Sequence, residues 1–158
     1  MRQIKGTGFD HIGIKNTEGT EIATDYLIKL GHTKIAYFGG DLNSDVRKDR
    51  ARGYELSLEK HGLNWKVIWT SEDTKQSGVD RLHDLISEHP DVTALICNGD
   101  MVALGACLAL QSKNLQPGKD ISVIGFDNVM DAQLVTPSLT TMAVNPYNLG
   151  QILAETIL

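Results

Sequence analysis

The sequence predicts an α/β domain with a mostly parallel sheet and helices on both faces. Four apolar, strand-like runs each end in a small polar loop, and segments with helical periodicity separate them. The runs span residues 35–40, 67–73, 94–100 and 121–128. They are continuously apolar rather than alternating, which is typical of strands covered on both faces. In such a sheet the loops that follow the strands gather at the carboxyl edge, where ligands bind.

The first part of the chain predicts a strand, a turn, a helix and a second strand. Residues 11–16 alternate weakly and predict the first strand, and a turn signal follows at 17–19. Apolar residues then recur at helical spacing over 20–30, and Gly31 stands where a glycine commonly ends a helix. Residues 34–39 form a short apolar run and predict a buried strand.

The remainder of the chain repeats the helix-and-strand pattern. The third helix ends before Pro90, because the residue before a proline resists helical geometry. Short connections between these elements favour right-handed crossovers and parallel strands. The predicted elements are a helix at 45–61, a strand at 65–70, a helix from Gln76, a strand at 93–97, a helix at 100–113, a strand at 121–126, a short strand near 141–144 and a helix at 147–158.

Length and composition suit one compact domain and exclude several functions. The chain has 158 residues, of which 41% are hydrophobic, and its net charge of −5 argues against a chain-wide nucleic-acid surface. Cys97 and Cys107 lie in apolar runs and predict two buried, reduced thiols rather than a zinc site, so no metal or cofactor is expected. With no secretory signal or membrane span in the sequence, we expect a cytoplasmic protein. Both ends look cut, which predicts a fragment of a longer protein.

Arg50 and Asp127 are the foremost candidates for ligand contact. Arg50 shares an i+4 stripe with apolar residues of the second helix, so it should face the sheet near the strand-end edge. Its planar guanidinium can hold a hydroxyl pair, a carboxylate or a phosphate, although a structural ion pair with a loop aspartate is the alternative. Asp127 lies at the end of the fourth apolar run and can accept hydrogen bonds from two vicinal hydroxyls, or it can cap the turn that follows.

Ser44 and Asp73 are further candidates in neighbouring loops, although turn chemistry is sufficient to explain either of them. Asp100 also ends a strand, and we interpret it as the N-cap of the following helix. The sequence contains none of the common nucleophile, phosphate-loop or zinc-protease motifs, and it has no carboxylate pair with an acid/base spacing. We therefore expect no catalytic residues and no enzyme.

The fourth helix, over residues 101–113, is apolar nearly all round. Such a helix must be covered on two sides, one of them by the sheet. The second cover is either another element of the same chain or a second subunit. We predict that this helix forms a homodimer interface.

The chain resembles the effector-binding domain of the lactose/galactose-repressor family of bacterial transcription regulators. The resemblance is carried by segments in family order and spacing over nearly the whole chain. These segments are TDYLIKLGHTKIAYFGG (24–40), RARGYELSLEKHGL (50–63), ALICNGDMVALGACLAL (94–110), KDISVIGFDN (119–128) and TPSLTTMAVNPYNLGQ (136–151).

The resemblance implies a two-lobed domain like that of periplasmic sugar-binding proteins, preceded by a DNA-binding headpiece. Residues of about 17–139 then form the C-terminal lobe, and residues 1–16 and 140–158 are crossover segments of the N-terminal lobe. The headpiece would be absent from this chain, so operator DNA would be bound only through the missing part. A small effector between the lobes would shift operator affinity.

The resemblance also carries site residues. Arg50 and Asp127 match the family's effector-binding arginine and aspartate, which favours a sugar or sugar derivative as effector. Two positions depart from the family: Asp73 stands where an aromatic platform is common, and Gly99 stands where an asparagine is common. Asp73 would add a group that accepts a hydroxyl or an amine. A transport sugar-binding protein and a flavodoxin-like enzyme domain are the competing interpretations.

Overall fold

The computed structural model describes residues 12–64, 66–69 and 71–157, which form a sheet flanked by helices. The strands are β1 (Ile35–Phe38), β2 (Val67–Trp69), β3 (Ala94–Cys97), β4 (Ser122–Asp127) and β5 (Thr140–Ala143). The helices are α1 (Asn16–Lys29), α2 (Asp45–Lys60), α3 (Lys75–Glu88), α4 (Asp100–Ser112), α5 (Asp131–Leu134) and α6 (Pro146–Ile157).

The sheet has the order β2-β1-β3-β4-β5, and each neighbouring pair is parallel. This arrangement confirms the predicted parallel α/β class. The central strands β1 and β3 are buried along their whole length. Because all the strands point the same way, their carboxyl ends form one edge of the sheet.

Two helix pairs cover the two faces of the sheet, as predicted. On one face α1 and α2 bury a cluster that includes Leu27, Tyr37 and Tyr54. On the other face α3 and α4 bury a cluster that includes Phe38 and Leu104. The strands contribute alternate residues to the two clusters, which is why their sequence is apolar throughout.

Glycines allow the helices of each pair to approach closely. A Cβ atom on Gly53 of α2 would lie 2.1 Å from the carbonyl oxygen of Thr17 in α1. Between α3 and α4, a Cβ atom on Gly105 would lie 2.1 Å from the carbonyl oxygen of Lys75. A real side chain cannot occupy either position without displacing backbone, so these glycines set the distance between the helices.

The structure corrects the prediction for the start of the chain. Residues 12–15 are not a strand, and α1 begins at Asn16, so the predicted turn at 17–19 is helical. Residues 1–11 lie outside the described part of the chain. The short alternation was a weak strand signal, and α1 starts early because its first turn packs on α2, where Thr17 Oγ1 donates to the carbonyl oxygen of Asp49. The other predicted elements exist with ends shifted by a few residues, and the short helix α5 was not predicted.

The C-terminal elements differ in how they pack. β5 hydrogen-bonds with β4 and is an edge strand of this sheet. On α6, Tyr147 and Ile152 are exposed. The assignment of residues 1–16 and 140–158 to a second lobe stays a prediction, with the qualification that residues 140–143 belong to the same sheet as the other strands.

The second cover of α4 comes from the same chain. α3 packs along α4, and nine residues of α4 are buried. Met101 and Leu108 are the large apolar side chains of α4 that stay exposed among the described residues. The apolar character of α4 is thus explained largely within one chain, and the homodimer stays a prediction. Cys97 and Cys107 are buried free thiols, as predicted.

Candidate functional site

Arg50 lies at the carboxyl edge of the sheet and is the centre of a polar network. The residue is 4% exposed. Its Nε donates to Asn16 Oδ1 at 2.9 Å, and one terminal nitrogen donates to the carbonyl oxygen of Asn98. The other terminal nitrogen pairs with Asp127 Oδ1 at 3.0 Å, and the guanidinium carbon lies 3.7 Å from the centre of the Phe126 ring. These contacts hold the guanidinium in one orientation.

Asp127 is brought to Arg50 from the end of β4, so the two foremost candidates meet as the sequence predicted. Its side chain is 41% exposed, which leaves carboxylate surface accessible beside the arginine. Its backbone has φ of 111°, and that of Asn128 has φ of 58°. Positive φ is uncommon for residues other than glycine, Asp and Asn tolerate it best, and such backbone clusters at functional sites. The structure therefore shows the ion pair of Arg50 with a loop aspartate, and this pair lies at the edge where the sequence predicts ligand contact.

Asp73 joins this network through Asn98, at the end of β3. The Asn98 amide nitrogen donates to Asp73 Oδ2 at 2.8 Å, and its Oδ1 accepts from the hydroxyl of Tyr37 at 2.7 Å. Tyr37 and Asn98 are buried, and burial raises the pKa of Tyr37 well above its usual value, so its hydroxyl stays a donor. The amide of Asn98 is fixed on both sides, and it fixes the Asp73 carboxylate in turn.

Gly99 provides the space in which Asp73 lies. A Cβ atom at position 99 would be 2.7 Å from Asp73 Oδ2, closer than two such atoms can approach. The two departures from the family pattern, an aspartate at 73 and a glycine at 99, are therefore neighbours in space. Much of residue 73 is exposed, but its carboxylate end lies against the loop, and this partial desolvation raises the pKa of Asp73.

Asp100 lies beneath the edge and is structural. Its Oδ2 accepts from the backbone nitrogen of Val129 at 2.8 Å, and its Oδ1 accepts from the hydroxyl of Thr141 at 2.6 Å. The N-cap of α4 is Gly99, so the prediction that Asp100 caps this helix is wrong. The carboxylate instead ties α4 to the loop after β4 and to β5, and burial raises its pKa.

Ser44 lies in the loop between β1 and α2, at the same edge. Its side chain caps α2 by accepting from the backbone nitrogen of Arg47 at 3.3 Å. The structure thus gives Ser44 the turn role that the sequence offered as sufficient, and ligand contact by Ser44 stays a prediction.

Several residues of the network were missed by sequence reasoning. Asn98 had a usable signal, because it follows β3 directly at the edge where ligands bind. The sequence predicts Phe126 only as a strand residue, whereas its ring also supports the Arg50 guanidinium. Asn16 had no local signal, since it reaches Arg50 only through the packing of α1 against α2.

The described residues around this edge form an open surface. A groove of about 390 Å³ adjoins it, lined by apolar residues that include Ile14, Phe126, Met142 and Leu149. Within the described ranges no group of three potential metal ligands comes together. In the same part of the chain, no helix is long and apolar enough to cross a membrane.

A parallel sheet with polar residues from successive loops at its carboxyl edge defines a ligand-binding lobe of the periplasmic-binding-protein type. The comparison with protein families agrees: a model described as a periplasmic binding protein-like domain matches residues 24–158, and the chain belongs to this family. Within the family, the chain corresponds to the effector-binding domain of the lactose/galactose-repressor regulators, as the sequence segments indicated.

Individual relatives support this placement. A protein from Haemophilus influenzae described as HTH-type transcriptional repressor PurR is 33% identical over 144 residues, which are 90% of this chain and 43% of the relative. A sugar-binding transcriptional regulator from Escherichia coli, solved with phosphate, superimposes with a TM-score of 0.88 at 28% identity over 95% of this chain and 55% of that one. A complex of the regulator CelR with cellobiose gives a TM-score of 0.85 at 27% identity over 90% of this chain and 44% of that one. The chain thus spans less than half the length of the curated relative.

Proposed function

We propose that this chain is the ligand-sensing part of a bacterial transcriptional repressor that binds a small effector and thereby modulates operator DNA binding. The observation that carries the proposal is the pairing of Arg50 with Asp127 at 3.0 Å, from α2 and the end of β4. Arg50 is buried and held by three further contacts, whereas Asp127 is half exposed on a strained backbone. Strain and preorganisation of this kind are typical of a binding site.

The effector is proposed to be a sugar or sugar derivative. A fixed arginine beside an accessible carboxylate presents donors and acceptors at hydrogen-bonding distance from each other, which suits vicinal hydroxyls. Two of the structural relatives are described as a sugar-binding regulator and as a cellobiose complex, which supports the same class. Asp73 and Ser44 are proposed as additional contacts from the neighbouring loops.

This proposal predicts the effect of removing the Asp127 carboxylate. In the full-length protein, Asp127→Ala should weaken effector binding by about 1–3 kcal/mol, the range for leaving a charged hydrogen-bond partner unpaired. Calorimetry against a panel of sugars, sugar phosphates and purines identifies the effector and then measures the loss. Asp80→Ala is the matched control, because Asp80 is exposed on α3 and accepts a hydrogen bond from Gln76 of the same helix. Equal affinity of folded Asp127→Ala and wild-type protein would contradict the assignment.

A sugar-binding protein of a transport system is the alternative, because it would share the fold. The resemblance to repressors favours regulation, and we propose a cytoplasmic regulator without catalytic activity. Fluorescence anisotropy with operator DNA separates the two: effector-dependent binding supports a repressor, and no DNA binding by the full-length protein supports transport. Turnover of a bound compound that Arg50→Ala abolishes would instead indicate an enzyme.

The proposed homodimer uses α4 and the segment beside it. Met101 and Leu108 of α4 are exposed, and so are Met130 and Leu134 around α5. The side chain of Gln111 donates to the carbonyl oxygen of Thr136 at 2.9 Å and joins the two segments. Sedimentation velocity should show a dimer that Leu108→Lys weakens. A strict monomer for the full-length protein would refute this interface.

A further inference from the structure

The charge of Arg50 is already matched within the protein. Its guanidinium pairs with Asp127 and donates to Asn16 and to the carbonyl oxygen of Asn98. These contacts use three of the five guanidinium N–H groups, and the pairing with Asp127 already offsets the positive charge, so an anionic group of a ligand would compete with Asp127. Arg50 is therefore a poor receptor for a phosphate or a carboxylate of a ligand.

Asp73 has the opposite character. Its Oδ2 accepts one hydrogen bond from the neutral amide of Asn98, and the ion pairs formed among the described residues do not include it. Asn98 cannot turn to give a different contact, because its own oxygen is held by the Tyr37 hydroxyl. Asp73 is thus an exposed residue whose carboxylate is held in place by a hydrogen bond from a neutral partner.

The surroundings of Asp73 increase its demand for a cation. Desolvation raises the pKa of Asp73 most, the Asn98 hydrogen bond and the charge of Arg50 lower it, and the carboxylates of Asp127 and Asp100 add smaller upward contributions. Asp100 is 1% exposed and is committed to Val129 and Thr141, so it cannot move away. A ligand group that carries positive charge would relieve this repulsion.

We infer that Asp73 determines the effector class by receiving a protonated amine, so that the site favours amino sugars over neutral sugars and sugar phosphates. This inference rests on the proposed function, because it assigns a ligand class to the same edge of the sheet. A hydroxyl could also donate to Asp73, but it would leave the negative charge unmatched. An ammonium group donates a hydrogen bond to Asp73 and also matches its negative charge. Hydrogen bonds between two charged groups are roughly twice as strong as neutral ones.

The test uses the full-length protein and calorimetry with matched sets of compounds. Each set contains a hexose, its 2-amino derivative, the N-acetylated amine and the phosphate ester, for glucose, galactose and mannose, with inorganic phosphate as a further probe. The variant is Asp73→Asn, which keeps an oxygen to accept from Asn98 and removes the charge. The control is Glu72→Gln, which removes the same charge from the exposed neighbouring residue.

We expect one amine to bind at least about tenfold more tightly than its parent hexose and its N-acetylated form, as a charged contact requires. Asp73→Asn should bring this ratio close to one and leave binding of the parent hexose nearly unchanged, whereas Glu72→Gln should leave the ratio as it is. The inference is overturned if the parent hexose or phosphate ester binds as tightly as the amine, or if the preference survives Asp73→Asn.

The outcomes also separate this inference from the proposed function. If another compound of the effector panel binds in an Arg50-dependent manner and no amino sugar does, the inference fails and the proposed function stands. If no compound of either panel binds and none alters operator binding, both fail.

Discussion

Replacing Arg50 with alanine is expected to destabilise the fold of this chain by about 2–6 kcal/mol, because two buried hydrogen-bond acceptors lose their donor. The side chain is buried and makes three hydrogen bonds as well as a contact with the Phe126 ring. Its loss leaves Asn16 Oδ1 and the carbonyl oxygen of Asn98 without this donor, at about 1–3 kcal/mol for each group that stays dry. Water can reach the half-exposed Asp127, so that group adds less.

Urea unfolding of the 158-residue chain at neutral pH measures this loss from the shift of the midpoint at constant slope. Arg52→Ala is the matched control, since Arg52 is exposed on the same helix and pairs with Glu55 and Glu59 at the surface. It should change stability by less than about 1 kcal/mol. Arg50→Lys should recover only part of the loss, because a lysine cannot present the guanidinium fork.

A double-mutant cycle then measures the interaction between Arg50 and Asp127 by itself. Arg50→Met, Asp127→Asn and the double variant should give a coupling free energy of about 1 kcal/mol, because one partner is half exposed and solvent screens the pair. A loss below about 1 kcal/mol for Arg50→Ala would refute the reasoning, since it would mean that the buried guanidinium is not held as described.

Two further predictions concern the scaffold. Gly53→Ala should destabilise the chain by about 1–3 kcal/mol, because the new Cβ would meet the carbonyl oxygen of Thr17 and separate α1 from α2. Gly150→Ala is the control, since position 150 in α6 has open space, and it should be neutral or stabilising by up to about 1 kcal/mol. If urea unfolding showed Gly53→Ala to be the more stable of the two variants, the close contact between the helices would be contradicted. The ring nitrogens of His32 contact Thr93 Oγ1 at 2.9 Å and Ser122 Oγ at 3.0 Å, and burial lowers the pKa of His32 from 6.5. The stability that the neutral ring contributes is therefore present above the pKa of the unfolded chain. It is lost as the pH falls through 6.5 towards the lower pKa of the folded protein. His32→Asn should therefore show a smaller loss of unfolding free energy between about pH 7.5 and pH 5.5 than wild type, and parallel curves for the two proteins would exclude this role.

Part of the site could be predicted from sequence because two local signals were sufficient. Helical spacing placed Arg50 on the stripe with Tyr54 and Leu58, which the structure buries against the sheet. The end of an apolar run placed Asp127 at the carboxyl edge, where parallel strands bring their following loops together. Neither signal depends on distant parts of the chain.

The partners of these residues could not be predicted in the same way. Asn16 contacts Arg50 across 34 positions of sequence, and its segment was assigned to a strand. The fit between Asp73 and Gly99 involves loops after two strands that are not even adjacent in the sheet. No periodicity or turn signal records such contacts, because they arise only when the loops are packed.

The amino-acid sequence by itself determined the parallel α/β class, the edge at which the loops after the strands gather and the two charged residues that meet there. Those properties follow from the order of apolar runs and from side-chain spacing along single elements. Only the tertiary structure decided that α3 covers α4, that Arg50 is neutralised by its own chain and that Asp73 is held beside Gly99 with a neutral partner. The physical reason is that charge matching and close packing depend on distances between segments remote in sequence, which are fixed when the sheet assembles.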